Sequence, residues 1–215
     1  MSGFLSRREM LKRAAAAGAV TAVPPGALAQ GLSAAGASEP FENLTGARSR
    51  ILEAVVARLI PSDENGPGAL EAGAARYIDR ALGGSFAGLQ SLYSAGLDAV
   101  DAHARDTAGQ PFADLDANQQ DAVLGDLESN AADGFTPDAA SFFDMVLQHT
   151  IEGTFADPNY GGNRDFIGWE MLGYPGLRLA VAEDQQAMDA RPEMTRLSAY
   201  DLPMFDSADG EGDSP

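Results

Sequence analysis

The sequence predicts an all-α fold: a single compact helical domain with a long ordered loop rich in glycine and aromatic residues, preceded by a signal peptide. Between residues 48 and 151, apolar residues recur at helical spacings of three and four in successive stretches. No run alternates with a period of two for long enough to predict a strand. The chain is long enough to bury one core after removal of its N-terminus, so one domain is expected.

The N-terminus has the three parts of a secretory signal peptide. Arg7 and Arg8 precede a short alanine-rich apolar run, and Ala27-Leu28-Ala29 supplies the small residues of a cleavage site. The paired arginines resemble a twin-arginine signal, whose route exports folded proteins and predicts a periplasmic location with the twin-arginine translocase as a partner. An amphipathic N-terminal helix of the mature fold is the alternative. The predicted organisation is a signal peptide at 1–29, a flexible leader at 30–47, the helical domain at 48–205 and a disordered acidic tail at 206–215.

Prolines and glycines set the boundaries of the first predicted helices. Pro61 ends the first helix, whose apolar stripe begins at Ile51. A second helix is predicted from Ala69 to Leu82, and Gly83-Gly84 ends it. The third helix follows with an apolar stripe of Phe86, Leu89, Leu92, Tyr93, Leu97 and Val100.

Capping residues set the boundaries of the later helices. Asp116 is the expected N-cap of the fourth helix. Thr136 and Pro137 are expected to be the N-cap and the first residue of the fifth. A short helix is predicted from Phe166 to Leu172, and a last one from Leu177 to about Ala190.

The composition excludes several classes of partner and cofactor. The formal charge is -18, and it becomes -21 when the four basic residues and Glu9 of residues 1–29 are removed. A surface this acidic repels nucleic acid and anionic lipid. The absence of cysteine excludes thiolate-ligated iron–sulfur clusters, haem attachment through C-x-x-C-H and cysteine-ligated zinc. The apolar N-terminal run is shorter than the ~20 residues of a spanning helix, so no membrane span is expected after cleavage.

His149 and Glu152 are the residues that most resemble part of a metal site. They lie three apart on the fifth predicted helix and therefore project from one face. Helical di-iron sites need two Glu-x-x-His motifs and further carboxylates, whereas here the order is reversed and occurs once. A histidine stabilised by the dipole at a helix end is the simpler interpretation. No catalytic, cofactor-binding or metal-binding residue is predicted, and a stand-alone helical metal-dependent enzyme stays open as an alternative.

The stretch from Glu152 to Gly176 combines turn-forming residues with aromatic ones. It has six glycines and two prolines, and it also contains the only tryptophan. Aromatic residues and arginine are the types that anchor protein interfaces. The predicted partner-binding residues are therefore Tyr160, Asn163, Arg164, Trp169 and Tyr174. Two alternatives stay open: the aromatic residues staple the last helices onto the core, or Trp169 stacks on the ring of a sugar ligand.

The same stretch carries a resemblance to a known family. The pattern Thr150-x-Glu152-Gly153-x-Phe155-x-Asp157-Pro158-x-Tyr160-Gly161-Gly162-Asn163, followed by Gly168-Trp169-x-x-x-Gly173-Tyr174-Pro175-Gly176, resembles the gluconate 2-dehydrogenase subunit 3 family. Ile60-Pro61-Ser62-Asp63 and Phe112-x-x-Leu115 agree with it, and the resemblance covers about Arg48 to Gly176.

The resemblance implies a non-catalytic small subunit of a periplasmic dehydrogenase complex. In such complexes the large subunit is an FAD-dependent dehydrogenase of the glucose–methanol–choline type acting on sugars, sugar acids or alcohols, and a multihaem cytochrome c often takes the electrons. The small subunit is expected to support folding and flavin loading of the large subunit and its export through the twin-arginine channel. FAD is thus expected in the large subunit, haem c in a third subunit where one is present, and no cofactor in this chain.

Overall fold

The computed structural model describes residues 41–64, 66–187, 189–190 and 192–203. The predicted signal peptide and the tail from residue 206 lie outside these residues. Within them, no β-strand forms and no helix has the length and apolar character needed to cross a membrane. The all-α prediction is confirmed for this part of the chain. Its α-helices are α1 (Gly46–Leu59), α2 (Ala74–Leu82), α3 (Gln90–Ala108), α4 (Ala117–Glu128), α5 (Ala139–Phe155) and α6 (Ile167–Leu172).

Helix α5 lies at the centre of the core. It packs most extensively against α2 and α4, and it also contacts α1 and α6. Its long apolar face explains this position, because a helix buried on several sides needs more than one narrow stripe. Tyr93 of α3 and Phe112, which precedes α4, are the largest side chains that are fully buried. The buried residues of α5 are Ala139, Phe142, Phe143, Val146, Leu147, His149, Thr150, Gly153 and Thr154.

The predicted N-cap of α4 is confirmed. The Asp116 carboxylate accepts a hydrogen bond from the Gln119 backbone N–H at 2.9 Å, and the Gln119 side-chain oxygen accepts one from the Asp116 N–H at 3.2 Å. This reciprocal capping box satisfies two N–H groups that the helix itself leaves unpaired.

Two helix starts were predicted at the wrong residue. Helix α5 begins at Ala139 rather than Pro137, because the Asp138 carboxylate caps it by accepting from the Ser141 N–H at 2.8 Å. Pro137 follows a cis peptide bond and precedes the helix. Helix α2 begins at Ala74 rather than Ala69, since Ala69 donates its N–H back to the Ile60 carbonyl at 2.8 Å and so belongs to the preceding turn.

The predicted helix from Leu177 to about Ala190 was wrong. The described part of this segment contains one short 3-10 turn, Glu183–Gln185. Leu179 and Val181 are 74% and 51% exposed, so a helix here would have no apolar face packed on the core. The segment instead begins by pairing with a later stretch, because the Leu177 N–H donates to the Leu197 carbonyl at 3.4 Å.

Residues 41–47, assigned to the leader by sequence, are fastened to α2. The buried Asp79 carboxylate accepts backbone N–H groups from Glu42 at 2.7 Å, Asn43 at 3.0 Å and Leu44 at 2.9 Å. Leu44 itself is buried in the core, and α1 starts at Gly46. The helical domain therefore includes these residues. Local sequence did not show this, because the acceptor lies more than thirty residues away.

Candidate functional site

The loop between α5 and α6 is organised around Asn163, which is completely buried. Its side-chain oxygen accepts the Gly168 N–H at 2.8 Å, and its side-chain nitrogen donates to the Ala156 carbonyl at 2.8 Å. Its backbone has a φ of 43°, in the left-handed region where asparagine is better tolerated than most residues. Asn163 therefore ties the loop to the end of α5 and to the start of α6.

Gly162 lets this loop lie directly on α5. A Cβ atom at this position would overlap the Gly153 carbonyl group, which belongs to the backbone of α5. That carbonyl accepts the backbone N–H of Asn163 at 2.7 Å. The loop and the helix thus touch backbone to backbone, and the loop is rigid for that reason.

Trp169 anchors the loop to the end of α5. It is 7% exposed, and its indole N–H donates to the Phe155 carbonyl at 2.9 Å. Its ring contacts Phe166 at a centroid distance of 5.2 Å and Tyr174 at 5.0 Å. Trp169 in this structure therefore offers no open ring face to a sugar, and its contacts match the alternative in which it packs the last helix onto the core.

The other predicted partner-binding residues lie at the surface. Tyr160 is 51% exposed and Tyr174 is 45% exposed. Arg164 is exposed as well, while its guanidinium donates to the Glu71 carbonyl at 2.8 Å and its backbone N–H to the Ala72 carbonyl at 2.9 Å. These three side chains can touch a partner without rearrangement, whereas Asn163 and Trp169 cannot.

Exposed apolar side chains concentrate in the C-terminal part of the described chain. We call this set the C-terminal apolar surface; Tyr174 was predicted from sequence as a partner-binding residue, but the other members were not, and Leu179 and Val181 were assigned to a helix. Outside this set, Leu70 and Tyr160 are the large apolar residues with comparable exposure among the described residues. The surface consists of Leu172, Tyr174, Leu179, Val181, Leu197 and Tyr200.

Asp157 fastens the end of this surface to the loop. Its carboxylate accepts the Ser198 hydroxyl at 2.6 Å, the Ala199 N–H at 3.0 Å and the Asn159 N–H at 3.0 Å. Burial alone would raise the pKa of Asp157, but these hydrogen bonds outweigh burial and leave the pKa below its usual value. Tyr160 and Tyr200 add a hydroxyl–hydroxyl hydrogen bond of 2.8 Å.

His149 is a core residue rather than an exposed helix-end residue. Its Nδ1 is 2.8 Å from the Tyr93 hydroxyl, and its ring stacks on Phe86 at a centroid distance of 4.1 Å. Burial lowers the pKa of His149, while the nearby charge of Glu152 acts in the opposite direction. The net effect favours the neutral form of the imidazole.

The stability of the domain is expected to fall as the pH drops below about 6.5, the value of a histidine in an unfolded chain. A lowered folded-state pKa means that the unfolded chain binds the proton more readily, so protonation of His149 favours unfolding. Urea unfolding at pH 7.5, 6.5 and 5.5 measures this slope. His149→Gln is expected to flatten it, and an unchanged slope in that variant would contradict the assignment.

Glu152 lies in an open groove between α2 and α5. The groove encloses about 410 Å³ and is lined by Tyr77, Arg80, Ala81, Ser85, Glu152, Ala156, Asn159 and Tyr160. Tyr77 donates to one carboxylate oxygen of Glu152 at 3.0 Å, and Gln148 donates to the other at 3.0 Å. Burial first, and then this hydrogen bond to Glu152, raises the pKa of Tyr77 to about 12.

The described residues contain no cluster of three or more histidine or acidic side chains with metal-site geometry. His149 and Glu152 each have the hydrogen-bond partners described above. The other histidine, His103, contacts the Asp126 carboxylate through Nε2 at 2.9 Å. His149 and Glu152, the pair that suggested a metal site, are thus hydrogen-bonded to other side chains of this chain.

Comparison with known proteins gives one match. Neither a search of curated proteins nor a search of solved structures found a significant match. A family model described as gluconate 2-dehydrogenase subunit 3 matches residues 47–176, which is more than half of the chain. The matched residues run from α1 through the loop to Gly176, and they include Asn163, Gly162 and Trp169, the residues that give the loop its shape. The chain belongs to the gluconate 2-dehydrogenase subunit 3 family.

Proposed function

We propose that this chain is a non-catalytic accessory subunit of a dehydrogenase complex and that it binds the catalytic subunit through the C-terminal apolar surface. The observation that carries the proposal is the joint presence of a subunit family match and of six exposed apolar side chains between residues 172 and 200. Exposed apolar side chains that together form a patch are typical of an interaction site.

The rigid loop supports this role physically. Its shape is set by buried hydrogen bonds of Asn163 and by the packing of Trp169, so little conformational freedom is lost when a partner binds. A subunit that binds the folded state of its partner and not the unfolded state stabilises that partner by mass action. Support of folding and flavin loading of the catalytic subunit is proposed on this basis.

We propose further that the partner is an FAD-dependent dehydrogenase of the glucose–methanol–choline type and that both subunits reach the periplasm through the twin-arginine translocase. The family membership and the paired arginines Arg7 and Arg8 support this route. A multihaem cytochrome c is proposed as the electron acceptor where a third subunit is present. FAD and haem c would then reside in the partners.

Purification of the tagged full-length chain from its native host tests the proposal. A co-purifying protein with flavin absorbance, identified by mass as a dehydrogenase, is the expected result. With Arg7→Lys and Arg8→Lys together, we expect both proteins to stay in the cytoplasm. A chain that is purified alone and without flavin would contradict the assignment.

Loss of the C-terminal apolar surface is expected to weaken the complex. Leu172→Gln and Leu179→Gln should each lower the affinity for the dehydrogenase subunit roughly tenfold, because each removes about 1.4 kcal/mol of apolar burial. The side chains are 60% and 74% exposed, so the unfolding midpoint of the isolated chain should not change. Leu70→Gln is the matched control; equal weakening by all three variants would contradict a localised interface.

A further inference from the structure

Arg80 is a cation without an internal acceptor. Within the described part of the chain, it has no ion pair and no side-chain hydrogen bond, although it is held against the loop. A Cβ atom at Gly161 would lie 2.7 Å from the Arg80 Nη1 and 2.9 Å from its Cδ, so the glycine backbone packs directly on this side chain. Other arginines are paired with carboxylates in the same structure: Arg48 with Asp98, Arg58 with Asp121, Arg105 with Asp101 and Arg196 with Glu170.

Glu152 is the carboxylate that lines the groove together with Arg80, and it already accepts two hydrogen bonds. Glu152 uses one oxygen to accept from Tyr77 and the other to accept from Gln148. Since Arg80 has no side-chain hydrogen bond among the described residues, its planar set of N–H donors is available to a ligand, in a geometry that matches a carboxylate through two parallel hydrogen bonds. The groove also presents the ring of Tyr160 and the polar side chains of Ser85 and Asn159 around that position.

We propose that the Arg80 groove receives an aspartate or glutamate side chain of the dehydrogenase subunit. This inference rests on the proposed function and names one contact of that complex. A protein side chain fits better than a free small acid, because the groove is open and its lining residues Arg80, Ser85 and Tyr160 are exposed. Sites for small ligands bury most of the ligand surface.

The groove also continues into the proposed interface, which supports a protein partner. Tyr160 lines the groove, and its hydroxyl contacts that of Tyr200, a member of the C-terminal apolar surface. On a chain with a formal charge of -18, a partner surface is expected to be mostly basic or neutral. One acidic side chain opposite Arg80 would then help to orient docking, because most of this chain's charged side chains are acidic and would repel it elsewhere.

Cross-linking with a carbodiimide tests this contact in the intact complex. The reagent joins a lysine amine to a carboxylate as an amide, with loss of water. The sequence has a single lysine, Lys12, in the predicted signal peptide, so Arg80→Lys places one new reactive amine in the groove. We expect mass spectrometry to find this residue joined to an aspartate or glutamate of the dehydrogenase subunit. Arg50→Lys, at an exposed position on α1 outside the groove, is the matched control and should give no such product.

Affinity measurements give an independent readout. Arg80→Glu is expected to weaken binding of the dehydrogenase subunit roughly 30-fold or more, whereas Arg50→Glu should change it by about twofold or less. Arg80→Gln removes the charge without creating repulsion. Raising the salt concentration should weaken binding less for this variant than for the wild type. Unfolding midpoints measured for each variant separate loss of binding from loss of fold.

The outcomes distinguish this inference from the proposed function. If the wild-type chain forms no complex with a dehydrogenase, both fail together. If the complex forms but Arg80→Lys gives no cross-link to the partner, or Arg80→Glu binds as well as Arg50→Glu, only the Arg80 contact is overturned. Saturable binding of acetate to the isolated chain, lost in Arg80→Gln without any change in partner affinity, would identify a small-acid site instead and would also overturn it.

Discussion

Replacing Gly162 with alanine is expected to lower the free energy of unfolding by about 3 kcal/mol. The new methyl group would overlap the carbonyl of Gly153, which belongs to the α5 backbone and cannot rotate away as a flexible side chain would. The loop must then move off the helix, and the 2.7 Å hydrogen bond from the Asn163 N–H to that carbonyl is lost. For a domain of this size, the melting temperature should fall by roughly 6–12 °C.

Gly125→Ala is the matched control for this substitution. Gly125 lies within α4, is exposed, and has no atom within 4 Å of the position of an added Cβ. Alanine has the higher helix propensity, so this variant should gain about 0.5–1 kcal/mol. Thermal unfolding of both variants alongside the wild type makes the comparison. A melting temperature of Gly162→Ala equal to that of the wild type would show that the loop does not lie on α5 as described.

Asp79→Ala is expected to cost about 3 kcal/mol, because three backbone N–H groups lose a charged acceptor at once. These N–H groups belong to Glu42, Asn43 and Leu44, and the carboxylate that receives them is 2% exposed. Leu44 would lose its anchor in the core as a result. Urea unfolding measures the stability, and we expect residues 42–44 of the variant to become susceptible to proteolysis under native conditions.

Asp98→Ala removes a carboxylate of a different kind and serves as the control. Asp98 pairs with Arg48 at the surface, with 56% of its side chain exposed, so its loss should cost less than about 1 kcal/mol. Asp79→Asn keeps one acceptor oxygen and should fall between the two. If Asp79→Ala is no more destabilising than Asp98→Ala, the hydrogen bonds from residues 42–44 to the Asp79 carboxylate do not contribute as described.

Much of the fold follows from local patterns in the sequence. The apolar periodicity between residues 48 and 151 predicted the helices of the core, and Asp116 was predicted as the N-cap of a helix that the structure confirms. The predictions failed where a competing local signal or a distant contact decided the outcome. Asp138 caps α5 in preference to Thr136, and Leu179 and Val181 have no core to pack against. Neither fact can be obtained from periodicity alone.

The position of the candidate site could be predicted from the sequence, but not which of its residues are buried and which are exposed. The glycine and aromatic content of the loop marked it as ordered, and the structure places Asn163 and Trp169 inside it and Tyr160 and Tyr174 at its surface. Residue type does not separate these roles, because interface anchors and core residues are chemically alike. Arg80 had no sequence signal, since what distinguishes it from Arg50, another exposed arginine without an ion pair among the described residues, is its position in the groove against Gly161.

The three hydrogen bonds from residues 42–44 to the Asp79 carboxylate, which we call the Asp79 clamp, can be followed by hydrogen exchange. The amide protons of Glu42, Asn43 and Leu44 all end on one carboxylate, so they should exchange with solvent deuterium together when that carboxylate moves. Asp79 and Arg80 are consecutive residues of α2, one facing this clamp and the other lining the groove. Slower exchange at these amides on complex formation would therefore report from within the chain that binding stabilises α2, with no label attached to either protein.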